Sequence, residues 1–508
     1  MRWITVKNLE QWAETSGSRT TLAELVRNLI RATAPNFGKY RFPIGEAAQL
    51  PGFDGVLVNA QGVPPYVPDG LSVWEVSTEA EPRKKATEDY EKRTAAPGPV
   101  NQGEATFVFV TPHRWADLDI WENERRDGPW AAVEAIDGVA LEDWLEQRPA
   151  VAVDFARRVL AIMPEGVLSS ADFWSEYAGR SQPTITEALL LAGRADEAKK
   201  VQDVLGSGAP QALLVQGHSP DEALAFAVAA IRSANEEACH FLDARSLVVR
   251  DLEVARRIAH RGGLVFLIRT SQVPVSGSLV TAGNCVLVAL GNQAPRQQHL
   301  VVRLPRAPGY LFAEALTSMG IETTEAARLA RECGSSVTIF QRRHPAIDRQ
   351  EPDWCRDQAL RRTIIPALLA GGWDSGNEED RRIVGRLARE EYEGFEARLH
   401  PCLRTDDSPV AKIGDVWTLV APADSFEFLA RDVTQRDLTP SARWRSPFSP
   451  KSIRRSTSRP RSDRTPISRE RSCGTAHRSV TGWPAPSCSR PCADLRPACS
   501  REPTSNAS

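Results

Sequence analysis

Short apolar runs separated by glycine- and proline-rich connections recur along the first third of the chain. Phe53-Asp54-Gly55-Val56-Leu57-Val58 and Leu71-Ser72-Val73-Trp74-Glu75-Val76 are two such runs. Their spacing predicts two strands joined as a hairpin by a long turn-rich loop. A third run, residues 105–111 ended by Pro112, reads as a buried strand, and residues 133–136 read as another. Between the hairpin and the third strand, residues 83–93 are polar with helix-forming character. Ahead of the hairpin, Leu22, Leu25, Val26, Leu29 and Ile30 fall at helical spacing, with Ser18 or Thr20 as the expected cap. A short strand is expected over residues 3–6, and a helix over 140–147 closes this region before Pro149.

The apolar rhythm then changes. Residues 150–200 are helical in pattern, with a break at Pro183. Residues 212–216 form a buried run that enters a turn at Gly217 and then a helix over 221–231, and residues 264–268 and 285–290 are two more buried runs. Strands alternating with helical segments predict an α/β domain. Helical spacing returns through Leu316, Ala326, Leu329, Ala330 and Val337. Residues 350–440 read as mostly helical, with two helices divided at Gly371-Gly372, a strand over 415–420, and Trp354, Trp373, Tyr392 and Trp417 as core anchors.

Length and composition change this picture in one place only. The chain has 508 residues, enough for two or three domains, and is 42% hydrophobic and 25% charged, as ordinary globular proteins are. No apolar run is long enough to suggest a membrane span, and the first residues do not read as a signal peptide, so a cytoplasmic protein without a membrane partner is expected. The formal net charge of −2 hides an asymmetry. Residues 443–508 hold thirteen Arg and one Lys against two Asp and two Glu, a net +10, which leaves −12 for the rest. Apolar periodicity vanishes there, and Cys473, Cys488, Cys492 and Cys499 fit no disulfide framework. A basic arm for nucleic acid is one reading. The favoured one is a slipped reading frame: with GC-rich codons, KSIRRST from Lys451 yields Val-Asp-Pro-Ala-Leu-Asp in the neighbouring frame, so the tail charge does not argue for DNA binding.

The hairpin carries the candidate chemistry. It would bring Asp54 and Glu75 together on neighbouring strands, with Lys84 and Lys85 on the helix that follows. Two carboxylates and an amine at one end of a sheet can hold a divalent cation and orient a water, which is the minimum apparatus for metal-assisted phosphodiester hydrolysis. An Asp and a Glu at this separation are common, and a surface hairpin with solvated acids would contain them too. Trp74-Glu75-Val76, however, sets a charge inside an apolar strand, where an unpaired carboxylate is costly. Glu46, just ahead of the first core strand, is a candidate third acid. Glu24 is another, although a solvated first-turn acid is the simpler reading of it. His113 and Arg114 follow the third strand, where Arg114 could meet a phosphate. Trp115, Trp121, Trp130 and Trp144 read as core by default.

This arrangement resembles the PD-(D/E)XK, or restriction-endonuclease-like, nucleases. In their Mrr-like branch the first acid often sits in a Gly-x-Asp-Gly turn, matched here by Gly52-Phe53-Asp54-Gly55. Pro51 stands three places before Asp54, and Glu75-Val76-Ser77 has serine where the family usually has lysine. In some members that lysine moves onto the following helix, which makes Lys85 the first substitute and Lys84 the second. The resemblance implies an α/β/α domain in which Asp54 and Glu75, with Glu46, hold Mg²⁺ or Mn²⁺ and DNA is cut, RNA not being excluded. Without a lysine that reaches the site, the domain would bind DNA and leave it intact.

The Gly217 turn has P-loop topology without P-loop chemistry. A Walker A loop needs several glycines, a lysine for the terminal phosphates and a Ser/Thr for magnesium. Here one glycine stands in a short loop without lysine, and Ser219 cannot replace the missing pair. The layout resembles the nucleotide-binding module of STAND or AAA-type ATPases with its helical lid, in degenerate form and with no ATP cofactor expected. Any doubly wound α/β domain would read alike. His218 and His240 stand alone, without metal-ligand spacing.

The expectation is an α/β multidomain chain: a restriction-endonuclease-like α/β/α domain over 1–150, a helical connector over 151–205, a degenerate P-loop-type α/β domain with helical lid over 206–345, a mostly helical, winged-helix-compatible region over 346–440, and a disordered Arg/Ser/Pro-rich tail over 441–508. The function expected from the resemblance is a Mg²⁺- or Mn²⁺-dependent endonuclease of bacterial anti-phage or restriction-type defence. It would act as a homo-oligomer or with partner defence proteins, under control of the inactive NTPase-like domain. The rival is a catalytically inactive nuclease-fold sensor or scaffold that binds nucleic acid or protein.

Overall fold

Strand β1 (Lys39–Arg41) opens a five-stranded sheet whose order follows the chain: β1, β2 (Gly55–Ala60), β3 (Gly70–Val76), β4 (Ala105–Val110) and β5 (Ala132–Ile136). The computed structural model describes residues 2–34, 38–43, 52–269, 274–291, 300–347, 351–405 and 407–441. One compact unit spans Met1–Ser449; Pro450–Ser508, and with it nearly all of the basic tail, lies outside the described residues. The architecture is mixed α/β, and no helix among the described residues is long and apolar enough to cross a membrane.

The first sheet changes direction midway. β1, β2 and β3 pair antiparallel, whereas β3, β4 and β5 pair parallel. A parallel pair needs a crossover, and α3 (Pro82–Ala95) and α4 (Leu118–Asn123) supply two. Both lie on one face of the sheet, over Val73, Phe107 and Phe109, where Trp115, Trp121 and Trp130 complete the layer. The other face, with Leu57, Trp74, Val108 and Val110, is covered by α1 (Val6–Ala13), α2 (Ser18–Thr33), α5 (Gly138–Gln147) and α6 (Pro149–Arg158). Successive strand residues point to opposite faces, so Trp74 enters one core while Val73 and Glu75 share the side of α3. All four tryptophans named from this region are buried in these two cores.

Two local expectations fail here. No strand forms over residues 3–6: Thr5 caps α1 in a capping box with Asn8, because Val6, Leu9, Trp12 and Ala13 bury a helical face. Neither Ser18 nor Thr20 caps α2. Gly17 is its N-cap, and the Ser18 hydroxyl turns back to donate to the Ala13 and Thr15 carbonyls.

The second sheet has six strands in the order β11 (Leu300–Arg303), β7 (Ala212–Gln216), β10 (Cys285–Leu290), β9 (Val265–Arg269), β8 (Ser246–Val249), β6 (Val167–Ser169). All pairs are parallel except β6 with β8. The stretch expected as a helical connector thus also supplies an edge strand. Its helices α7 (Ser170–Ala178), α8 (Glu187–Leu191) and α9 (Ala195–Gly206) join α10 (Pro220–Arg232) on one face. Next in the chain come α11 (Glu236–Asp243), α12 (Leu252–Ile258) and α13 (Pro274–Thr281), of which α12 and α13 cover the other face. Helices α14 (Gly309–Ser318), α15 (Thr323–Glu332) and α16 (Val337–Arg343) extend the first of these cores.

The last region builds its own core around Trp354, Trp373, Tyr392 and Trp417. Helices α17 (Asp353–Arg356) and α18 (Gln358–Ala370) lead to β12 (Gly372–Asp374), then α19 (Glu378–Ala388) and α20 (Tyr392–Leu399). A hairpin of β13 (Val410–Ile413) and β14 (Val416–Leu419) pairs with β12, and α21 (Pro422–Leu429) and α22 (Gln435–Ser441) follow. The second of the two expected helices is really α19 and α20, divided where Arg389 adopts a left-handed conformation (φ 62°).

Candidate active site

Antiparallel register builds the site. Gly55 stands opposite Trp74, Val56 opposite Val73 and Leu57 opposite Ser72. Carried one residue beyond β2, that register sets Asp54 opposite Glu75. Directly opposed residues share a face, with Cβ atoms about 4.5–5.5 Å apart. The Asp54 carboxylate is fixed by the next amide along: Val76 N–H donates to its Oδ2 at 2.9 Å. Glu75 is buried at 4% exposure on the α3 side of the sheet.

Helix α3 closes over the pair. Lys85, Asp89 and Arg93 are spaced four residues apart and form one stripe along it. Lys85 Nζ bonds Asp89 Oδ1 at 2.7 Å, and Asp89 is itself buried. Arg93 donates through Nε to Glu75 Oε1 and through Nη2 to the Gly52 carbonyl. Its guanidinium also lies 5.0 Å from the centre of the Phe53 ring, which meets Trp130 edge-on. One arginine therefore ties the Gly52-Phe53-Asp54 turn to the acid of β3.

The electrostatics of the cluster are unbalanced. Burial pushes the Glu75 carboxyl up to about 8; the Arg93 hydrogen bond opposes this, while neighbouring Asp54 and Asp89 reinforce it. Asp54 is also raised, first by burial, against the Val76 amide and Arg93. Among the described residues, Asp54 Oδ1 and Glu75 Oε2 accept no hydrogen bond. Burial is the first cause of both shifts, and neighbouring carboxylates add to it. Among the described residues, no group of three His, Cys, Asp or Glu side chains could hold a metal ion. Glu46, the expected third acid, lies outside the described residues.

The other expected side chains part company. Lys84 points outward, 71% exposed, with its ammonium 3.8 Å from Glu81. Glu24 is held by Arg158 at 2.9 Å. Arg114 is drawn to Glu10 at 3.2 Å, and the His113 ring lies 3.1 Å from the Thr78 carbonyl. Asp89 and Arg93 were missed by sequence reasoning. Their signal was available, because residues 85, 89 and 93 fall on one face of any helix through that stretch.

At the second sheet, the turn after β7 is closed by protein groups. Gly217 N–H bonds the Leu290 carbonyl at 2.9 Å, and Ser219 caps α10 through the Glu222 amide at 3.1 Å. Glu222 is fully buried, paired with Arg194 at 3.0 Å and bonded by the Thr338 hydroxyl at 2.8 Å. Asp221 is held by Arg180 at 2.7 Å and Arg269 at 3.3 Å. Two carboxylates thus occupy the first turn of α10, the end of a helix that would otherwise attract phosphate. A cavity of about 460 Å³ opens beside them, lined by Arg180, Arg269, Arg342 and Arg356 together with Asp221 and Asp407. His218 lies 2.6 Å from Asp407, and His240 stands 3.3 Å from Arg27.

Compared with known proteins, the chain matches no family model and no curated protein.

Proposed function

We propose that residues 1–150 form a restriction-endonuclease-like nuclease domain that hydrolyses phosphodiester bonds of DNA, RNA not being excluded. The observation that carries this reading is the convergence of Asp54, Glu75 and Lys85 at one end of a mixed sheet, on the side of α3. Asp54 and Glu75 are the residues that would hold Mg²⁺ or Mn²⁺, and the ion, when bound, would stabilise negative charge developing on the phosphate. Val76 N–H orients the Asp54 carboxylate, Arg93 orients that of Glu75, and Asp89 fixes the Lys85 ammonium at the edge of the cluster. From there Lys85 positions the attacking water and offsets charge on the phosphate. The setting is bacterial anti-phage or restriction-type defence, in a homo-oligomer or with partner defence proteins. The α/β domain around β7 is read as a degenerate P-loop module that regulates without ATP. The region around β12–β14 is read as a winged helix.

One observation favours the rival reading of a nucleic-acid-binding or protein-binding scaffold: Glu75 is already paired with Arg93, and Ser77 stands where lysine is usual. A cleavage assay separates the two. The purified full chain is incubated with plasmid and linear DNA in Mg²⁺ or Mn²⁺, beside Asp54→Ala, Glu75→Ala and Lys85→Ala versions. Metal-dependent cutting that all three substitutions remove supports the nuclease. No cutting by the unsubstituted protein, with metal and DNA both bound, favours the scaffold.

A further inference from the structure

We propose that the contact between α2 and α11 is a binding site for a phosphate monoester, held by Arg27 and Arg31. It lies on the other side of the first sheet from the Asp54–Glu75 cluster and does not depend on the nuclease reading. Arg27 and Arg31 stand one turn apart on α2, each only 8% exposed. Neither pairs with a carboxylate among the described residues. Arg27 meets the His240 ring through Nη2 at 3.3 Å, and its Nε is buried without a partner. The Arg31 guanidinium lies 4.8 Å from the centre of the Tyr40 ring, and its Nη1 is also buried without a partner. Like charges one turn apart on a helix repel, and a buried charge without a counter-ion is costly.

The surroundings do not supply the missing charge. Glu236 and Glu237, in the first turn of α11, act on Arg31 only through space. Glu236 is 83% exposed and turned to His240 at 3.6 Å, where water screens it. Burial, and then Arg31 and Arg27, hold the His240 imidazole below its ordinary value, so the ring adds a hydrogen-bonding nitrogen without charge. The basic line continues past α11. Arg245 has a buried, unpartnered Nε, and burial with nearby Arg148 lowers it to about 10. Arg148 in turn donates to the Thr33 hydroxyl at the end of α2 at 2.8 Å. Two guanidinium groups offer two positive charges and planar forks of donors. A phosphate monoester carries nearly two negative charges at neutral pH and three acceptor oxygens, so it matches both the charge and the stranded N–H groups. A carboxylate or a phosphodiester brings one charge only. Seated there, the anion would tie α2 of the first sheet's layer to α11 of the second.

The test reads binding by the full chain and not turnover. Thermal melting and titration calorimetry are run with inorganic phosphate against chloride at matched ionic strength. Phosphate is expected to bind at one site per chain and to raise the melting temperature where chloride does not. Arg27→Met and Arg31→Met should each weaken phosphate binding on the order of tenfold. Without phosphate the same variants should melt no lower than the wild type, because each sheds an unpaired charge. Lower melting of both variants with and without phosphate would make the arginines structural and overturn the proposal. Arg27→Lys and Arg31→Lys keep the charge without the fork; they should bind phosphate with intermediate affinity and stand in if a Met version does not fold. Arg19→Met, at a side chain 76% exposed beside Glu79, should leave phosphate binding unchanged. Adenosine 5′-monophosphate and a 5′-phosphorylated oligonucleotide separate the sources: whichever binds more tightly than inorganic phosphate names what carries the phosphate. Equal shifts with phosphate and chloride overturn the proposal, and this arm needs no variant to fold. So does a phosphate response that the substitutions at Arg27 and Arg31 leave intact, which would place the anion elsewhere.

Discussion

Two buried glutamates, one on a strand of the first sheet and one on a helix packed against the second, meet burial with opposite results. Glu75 of β3 is pushed up to about 8, because burial and the nearby Asp54 and Asp89 outweigh Arg93. Glu222 of α10 is more deeply buried, yet its carboxyl is lowered: burial pushes it up, and Arg194 with the Thr338 hydroxyl more than offsets this. The difference lies in the company each acid keeps. Glu222 has its own guanidinium and hydroxyl, and the adjacent Asp221 is held by two other arginines, Arg180 and Arg269. Glu75 shares its arginine with the Gly52 carbonyl and stands opposite a second acid. A satisfied buried ion pair holds structure together, whereas an under-compensated cluster in reach of solvent is a place for a ligand.

The largest effect expected from this contrast is catalytic. Asp54→Ala, Glu75→Ala and Lys85→Ala should each lower DNA cleavage by about 10²–10⁴-fold with unchanged circular dichroism. Asp221→Ala, at the satisfied site, should leave cleavage alone. Equal losses from both sites would dissolve the comparison.

Next in size is stability. Arg194→Met strands Glu222 without its counter-charge and should cost about 3–5 kcal/mol in urea unfolding. A loss below about 1 kcal/mol would mean that Glu222 is not the structural acid its surroundings imply.

The pH dependence of stability sharpens the contrast further. Glu75 has its carboxyl raised from 4.5 to about 8 on folding, so between these values the folded protein binds more protons than the unfolded chain. Its contribution is fully present below pH 4.5 and is lost as pH rises through about 8. Glu75→Gln removes that loss and should gain on the wild type across the window, by about 1–4 kcal/mol at its upper end. Urea midpoints measured at a series of pH values would show it; a constant offset would contradict the shift.

The smallest effect belongs to Lys84, which is 71% exposed beside Glu81. Lys84→Ala should change stability by less than about 0.5 kcal/mol and leave cleavage untouched. A tenfold fall in cutting would instead transfer the role of Lys85 to it.

The segments most legible in the sequence are those whose signal is local. β2, β3, β4, β7, β9 and β10 are short apolar runs bounded by glycine, proline or polar residues, and each forms within a residue or two of its expected place. Asp54 and Glu75 could be paired in advance because a hairpin fixes register through its turn. β6, β8 and β11 were not foreseen. Each has three or four residues, too few for a period to show, and each becomes a strand because a neighbour offers it an edge. The strand expected over residues 3–6 failed for the complementary reason: Thr5 and Asn8 cap a helix whose buried side needs α5 beneath it.

By itself, then, the amino-acid order determined where the longer apolar runs become strands or helices and which acids the first hairpin would set side by side. Alternation, turn residues and helical spacing act over a few residues and need no partner. The tertiary structure alone decided that Arg93 would reach back to Glu75 and Gly52, that Lys85 would turn to Asp89 while Lys84 stays in solvent, and that Glu222 would be neutralised by Arg194. Those outcomes depend on how far each group is withdrawn from water and on which charges the packed helices bring within a few ångströms. Neither quantity exists until the sheets and helices have closed on one another.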